Sequence, residues 1–463
     1  MKTLHMPNHG RYRKILVLLF LLSLAWIIFA FLLNTPEEIW SGLCTIWLSE
    51  DTLITDYIAT AGPGAAFVNA ALVCLISLFL LFVSGDPTNG FTLVVMGLMA
   101  GFSLFGKNVV NILPIILGTF LYSLAKREHF SKYVSVALLA TSLSPTVSYL
   151  AFARPGPWTF LLAILVGLLI GFCMPPLAAY TFRILNGMNL YNAGFACGIM
   201  GMVLIPVLTA VGLQPETSLY WSSGHNLEYG LLVSAVCLLL ILYGLSRGWA
   251  QSLLCYWQML HTSGRAPSDY LRAFGSPAVC INMGVNGLLG LAYILAVGGD
   301  LNGPTLGGIL TIMGFSAYGK HAFNIAPVIL GVLVGNLVNH VPMNNPSMQL
   351  AGLFGTTLAP IAGVFGWPAG ILAGLLHSSV VLQSGVAAVG MNLYNNGFAG
   401  GLVTMVLYPL LFTLLRHRRP SLRDEDYFDL FEHDEPISPA KLDDGHDLPV
   451  SSDEHDAPRP SKK

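Results

Sequence analysis

Residues 101–118 read GFSLFGKNVVNILPIILG, and residues 314–331 read GFSAYGKHAFNIAPVILG. Eleven of the eighteen positions are identical, and each copy sets one lysine, Lys107 or Lys320, inside a run that is otherwise apolar or small. The agreement extends outward from there. From Asp56 to Gly118 the chain aligns without a gap to Asp269–Gly331 at a constant offset of 213, so that Gly62 meets Gly275, Asn69 meets Asn282, and Asn89-Gly90 meets Asn302-Gly303. The same offset lays the apolar run 15–33 onto 228–246. Further on, MNLYNAGFACGIMGMVLIP (188–206) returns as MNLYNNGFAGGLVTMVLYP (391–409), thirteen of nineteen identical at an offset of 203. Two apolar stretches of unrelated origin do not agree this densely, so the chain is an internal duplication.

Composition sets the solvent. Of the 463 residues 54% are hydrophobic and 10% are charged, against about 25% charged in soluble domains. Apolar runs long enough to span a bilayer recur, and no window alternates as a β-barrel strand would, so the spans are helices. Each copy holds seven apolar elements: near 15–33, 64–84, 91–106, 108–125, 133–153, 157–182 and 190–211 in the first, and near 227–246, 276–297, 304–319, 321–338, 347–365, 367–389 and 393–415 in the second. The third and fourth of each copy are short, and fit either short spans or a re-entrant hairpin.

Lysine and arginine placement gives orientation. With Lys2, Arg11, Arg13 and Lys14 in the cytoplasm, alternation puts Lys126, Arg127, Lys132, Arg183, Arg247, Arg265, Arg272 and the run at 416–419 inside; Arg154 and Lys107 alone fall outside. An odd number of elements per copy inverts the second copy relative to the first, the arrangement of many transporters. The expected fold is therefore an all-α membrane protein, an inverted-topology repeat of two seven-element copies with broken or re-entrant helices. The expected division is a cytoplasmic N-terminus (1–14), membrane repeat 1 (15–212), membrane repeat 2 (225–415) and a disordered acidic cytoplasmic tail (416–463). Thirteen of the 24 acidic residues lie between Asp424 and Asp456 with few large apolar neighbours. The other eleven, Asp51 and Asp56 among them, read as loop or helix-end residues, which counts against coupling through a carboxylate at mid-membrane.

GFSxxGKxxxNIxPxILG and MNLYNxGFA, each present twice, resemble the uncharacterised bacterial membrane family catalogued as domain of unknown function 1576. The resemblance covers about 15–415 and implies a multipass protein of the bacterial plasma membrane, without naming a substrate. Residues 281–295, INMGVNGLLGLAYIL, are faintly similar to the NG-containing stretch of urea transporters, which are also inverted repeats.

The candidate site residues are Lys107, Asn111, Lys320, Asn324, His377, Asn192 and Asn395. A lysine at mid-bilayer costs about 2.5–3.5 kcal/mol, so two at matched positions need a reason. One is snorkelling to an interface. The other is a solute site, because each lysine falls at the start of a helix whose free N–H groups favour an anion. Asn111 and Asn324 lie one turn on, and Pro114 and Pro327 break the helices or merely kink them. Asn192 and Asn395 open the last helix of each copy, as site residues or as caps. His377 has no counterpart in the first copy and reads equally as a relay or as a bonded core histidine. The seven cysteines are scattered and read as small buried hydrophobes.

The expected function is a permease for a small polar or anionic solute between the repeats. The alternatives are a passive channel of urea-transporter type, or a membrane enzyme or scaffold using the acidic tail. No HExxH or Walker loop is present, so no enzyme chemistry is expected. Lipid and solute are the expected partners, with no nucleic acid, cofactor or metal.

Overall fold

The structure, a computed structural model, describes residues 9–415 except 52–53, 86–87, 154–155, 214, 216–217 and 388–389. The N-terminal residues 1–8, Arg154 and the acidic tail 416–463 lie outside the described residues, and the compact unit runs to Leu411. The first copy comprises α1 (His9–Leu33), α2 (Pro36–Leu48), α3 (Tyr57–Ala61), α4 (Pro63–Ser84), α5 (Gly90–Phe102), α6 (Val109–Lys126), α7 (Val134–Ala140), α8 (Ser144–Phe152), α9 (Pro157–Leu185) and α10 (Asn192–Ala210). The second comprises α11 (Asn226–Ser246), α12 (Trp249–Met259), α13 (Tyr270–Ala296), α14 (Gly303–Phe315), α15 (Ala322–Val338), α16 (Pro346–Phe354), α17 (Ala359–Phe365), α18 (Trp367–Ala387) and α19 (Asn395–Leu415). Helix α13 stands for α3 and α4 together, and it breaks at Gly275 (φ +79°) where the first copy breaks at Gly62 (φ +85°). Only glycine adopts that backbone readily, so the two glycines fix the same bend twice.

Ten helical stretches among the described residues are long and apolar enough to cross a membrane, and those residues form no strand, only an isolated bridge between Thr55 and Tyr220. The stretch Ile15–Leu33 in α1 is 11% buried, whereas Val134–Phe152 and Pro346–Phe365 are each 89% buried. The former therefore lies at the periphery and the latter two fill the centre. Exposed apolar side chains such as Leu32, Val211 and Leu227 suit lipid as the surrounding solvent.

Two loops expected from sequence are helices. Segment 36–48 forms α2, opened by a capping box in which Thr35 N–H donates to Glu38 Oε2 at 2.9 Å and Glu38 N–H to Thr35 Oγ1 at 3.4 Å, with Pro36 in its first turn. That cap is a sequence-level helix signal that the charge of Glu37-Glu38 masked. Its counterpart α12 occupies 249–259, so the duplication holds one more helix per copy than the seven expected. The fifth element breaks as expected, at Ser144-Pro145 between α7 and α8 and at Ala359-Pro360 between α16 and α17, each time through a short 3-10 turn.

The copies meet along α5 and α14, which run antiparallel. Gly90 lies against Ala317, Gly97 against Leu310 and Gly314, Gly101 against Gly307, and Leu104 against Gly303. A side-chain carbon on Gly101 would come 2.7 Å from the Gly307 carbonyl, so glycine is what lets the backbones touch. The cross-copy bonds are reciprocal. Asp56 accepts from Gly303 N–H and Asp269 from Gly90 N–H, both at 3.1 Å; Leu190 N–H donates to Thr357 O at 3.1 Å and Leu393 N–H to Ser142 O at 3.0 Å. Contacts that return with the partners exchanged define a local two-fold relation. Each aspartate also places its charge at the N-terminus of the other copy's helix, where the helix dipole favours it.

Candidate functional site

Both lysines sit in the same turn. Helix α5 ends at Phe102, Gly106 turns the chain at φ +142°, and α6 begins at Val109; in the second copy α14 ends at Phe315, Gly319 turns at φ +100°, and α15 begins at Ala322. A helix end inside the protein leaves carbonyls without partners, and one asparagine in each copy supplies them. Asn69 Nδ2 donates to Ser103 O and Lys107 O at 2.8 Å each, and Asn282 Nδ2 to Ser316 O and Lys320 O at 2.7 Å each.

Replacing Asn69 by alanine leaves two buried carbonyls unpaired at about 1–3 kcal/mol each. The expected result is a large drop in unfolding temperature by scanning fluorimetry. Asn282→Ala is expected to cost less, because Asn286 Nδ2 still stands 3.5 Å from Lys320 O. Equal drops would contradict this account.

The lysines themselves are fully buried, so neither reaches an interface and snorkelling is excluded. Among the described residues no carboxylate lies within ion-pair distance of either. Their surroundings begin alike: Lys107 Nζ stands 5.2 Å from the Phe102 ring centre and Lys320 Nζ 5.1 Å from that of Phe315. They end differently. Lys320 Nζ donates to Tyr191 Oη and, at 2.7 Å, to Thr356 Oγ1, and stands 4.3 Å from the Tyr191 ring centre. Lys107 Nζ finds Met99 Sδ and Leu138 O, both at 3.4 Å. The tyrosine equivalent to Tyr191 is Tyr394 (191 plus 203), and its buried hydroxyl has no partner.

The two tyrosines join the two sequence motifs. Tyr191 and Tyr394 stack at 4.7 Å with their planes 19° apart, as do Phe195 and Phe398 at 5.8 Å. Equivalent residues that touch each other lie on the two-fold axis. Phe102 sits edge-on to Tyr394 at 5.0 Å, so an aromatic series runs from Lys107 through Phe102, Tyr394 and Tyr191 to Lys320. Neither tyrosine was among the residues expected from sequence. The MNLYN repeat signalled them, but the tyrosine read as part of a helix start.

The remaining candidates scatter around this centre. Asn111 and Asn324 are capping-box residues: Asn108 N–H and His321 N–H donate to their Oδ1 atoms at 2.9 Å each, and their amides donate to Gly106 O at 3.0 Å and Gly319 O at 2.8 Å. Asn192, half-buried, donates to Ala178 O at 2.8 Å, and Asn395 to Ser384 Oγ at 3.2 Å; the Oδ1 of each has no partner. His377 is buried, with Nε2 3.0 Å from Asn396 Oδ1 and Nδ1 unpartnered, and it packs against Gly355 beside Thr356. The structure thus sets Lys107 and Lys320 at the two ends of one aromatic series, and leaves Asn111, Asn324, Asn192, Asn395 and His377 in other bonds.

Asp51 lies in a connection and Asp56 caps α3, as their reading as loop or helix-end residues expects, but both are completely buried. Asp56 serves the cross-copy cap. Asp51 lies against Asn111, and four donors converge on its Oδ2: Ser148 Oγ at 2.8 Å, Tyr57 Oη at 3.1 Å, Asn111 Nδ2 at 3.2 Å and Asn108 Nδ2 at 3.4 Å.

The model of a family described as "Protein of unknown function (DUF1576)" matches residues 35–210 and 250–413, one stretch in each copy. No curated protein and no solved structure matches the chain.

Proposed function

We propose that this chain, which belongs to the DUF1576 family of proteins of unknown function, is a membrane permease for a small polar or anionic solute. One observation carries the reading: two buried lysines, with no carboxylate among the described residues at ion-pair distance, stand at the two ends of an aromatic series, Phe102, Tyr394 and Tyr191, that crosses between the copies at a stacked tyrosine pair. A buried cation without a counter-ion is costly, and an anionic solute reaching either lysine would supply one. Equivalent helices that run antiparallel across a two-fold relation fit copies inserted from opposite faces of the bilayer, with the site where they meet.

The test is uptake by proteoliposomes holding the full chain, offered labelled acetate, lactate, phosphate and urea. Saturable uptake of one or more is expected. Flux that never saturates would favour a channel, and no uptake of any probe would overturn the reading.

The membrane arrangement has its own check. Single cysteines at Ser218, in the segment joining the copies, and at Gln251 in α12 are both on exposed positions. An impermeant maleimide applied to whole cells is expected to label the first and not the second. Labelling of both from one side would refute insertion from opposite faces.

A further inference from the structure

The Asp51 cluster is asymmetric where the rest of the centre is not. At the offset of 213, Tyr57, Asn108 and Asn111 correspond to Tyr270, His321 and Asn324, but Asp51 corresponds to Gly264. Ser148 corresponds, by the pairing of Ser144-Pro145 with Ala359-Pro360, to Gly363. In the second copy Gly264 has φ +69°, and a side-chain carbon there would lie 2.0 Å from Gly319 O and 2.5 Å from Asn324 Nδ2. Its neighbours are met by Thr262 instead: Tyr270 Oη pairs with Thr262 Oγ1 at 2.7 Å, and His321 Nε2 with Thr262 O at 2.9 Å. The same fold therefore closes this spot without any carboxylate, so the scaffold does not demand Asp51.

Within the first copy, Asp51 is held by one oxygen only. All four donors address Oδ2, and Oδ1, equally buried, has no partner. No lysine or arginine among the described residues lies within ion-pair distance. A small crevice of about 30 Å³, lined mainly by apolar side chains of α6, α8 and α9, also touches Asn111 and Ser148, the two residues that tie Asp51 to α6 and α8.

We propose that Asp51 is a proton-binding site, present in the first copy alone, through which the permease couples solute movement to protons. The inference rests on the permease reading for its coupling half and on geometry alone for its binding half. The O–H bond forms at Oδ1 as an O–H bond of hydronium breaks and leaves a water molecule, with the four donors on Oδ2 undisturbed, and it breaks when the proton passes back to water to give hydronium. An ionised carboxylate without a counter-ion is expensive to bury; the protonated acid is neutral. Burial pushes the Asp51 carboxyl up to about 7, against the opposing pull of Ser148, Tyr57 and Asn111. The titratable groups that act on it are Tyr57, through its hydroxyl, and exposed Glu50, whose charge adds to the upward push. Asn108 and Asn111 from α6 and Ser148 from α8 face it uncharged. Because Asn111 also holds the turn that carries Lys107, a change of charge at Asp51 acts one residue from the lysine segment.

Infrared difference spectroscopy of the purified full chain reads the proton directly. A protonated-carboxyl band that is lost as the pH rises through neutrality is expected in the wild type and absent in Asp51→Asn. In Ser148→Ala, which removes a donor that stabilises the ionised form, the band is expected to persist to higher pH. A spectrum in that range unchanged by Asp51→Asn, or no shift in Ser148→Ala although the protein is folded, overturns proton binding. Proteoliposomes loaded with a pH dye and given the same four probes read coupling. Proton entry accompanying uptake is expected in the wild type and lost in Asp51→Asn. Uptake without proton movement in the wild type overturns the coupling and spares the permease. No uptake of any probe defeats the permease reading and with it the coupling, and the spectra then decide proton binding by themselves.

Discussion

Lysine 320 replaced by methionine is expected to abolish uptake of whichever probe the protein carries, while the amount of folded protein stays the same. Methionine keeps most of the length of the side chain and removes the charge. Its two partners do not become stranded, because Tyr191 and Thr356 carry hydroxyls that can reorient, and Thr356 already donates to Leu353 O at 2.5 Å. Substituting a well-packed apolar side chain for an unpaired buried cation is often neutral or stabilising, so stability is expected to change by no more than about 1 kcal/mol. Solute binding is another matter. Loss of a charge-assisted bond in a dry site costs about 2–5 kcal/mol, a factor of about 30 to several thousand in affinity. Lys107→Met is expected to be as damaging to uptake and easier on stability, since its Nζ makes only two long contacts. Normal binding of the probe by both variants would remove the lysines from the site.

Gly101→Leu is expected to have a large structural effect between the copies. The added carbon would meet the carbonyl, Cα and carbonyl carbon of Gly307 at 2.7, 2.9 and 3.2 Å. Backbone cannot swing away as the end of a side chain can. The copies must separate along α5 and α14, and separation also strains the caps from Asp56 to Gly303 and from Asp269 to Gly90. Overpacking in a tight core costs typically about 1–3 kcal/mol; at a backbone-to-backbone contact the upper end is expected. Size-exclusion chromatography after extraction is expected to show loss of the monodisperse peak. Gly230→Leu in α11 is the control, because its added carbon would stand 3.6 Å from the Leu301 side chain, an ordinary contact on a helical backbone. A monodisperse Gly101→Leu protein of wild-type stability would show that the two backbones can part freely.

Much of this architecture was legible in the residues. The duplication needed no structure, because matched glycines, asparagines and prolines at one offset encode one set of bends, and the bends at Gly62 and Gly275 confirm it. The helical class and the membrane as solvent followed from composition, since a chain with so few charges cannot coat itself for water. Lys107 and Lys320 stood out in the sequence through the cost of placing either in an apolar run. Even α2 had its signal in Thr35-Pro36-Glu37-Glu38, misread because acidic residues suggested a loop when they were serving a helix start.

What the sequence could not determine was what lies opposite what. The pairing of Lys320 with Tyr191 joins residues 129 positions apart, and the stacking of Tyr191 on Tyr394 joins the two copies. Neither is a local property, for each depends on how α5, α14, α10 and α19 pack. The same holds for Asp51. By its neighbours it is an acidic residue in a polar connection; by its contacts it is a buried carboxyl held by side chains from α6 and α8, 60 and 97 positions away. Burial of a charge is set by the elements that close over it. Local sequence sets where helices begin and bend through short-range sterics and caps, whereas the environment of a titratable group is a sum over distant chain segments that only the tertiary structure brings together.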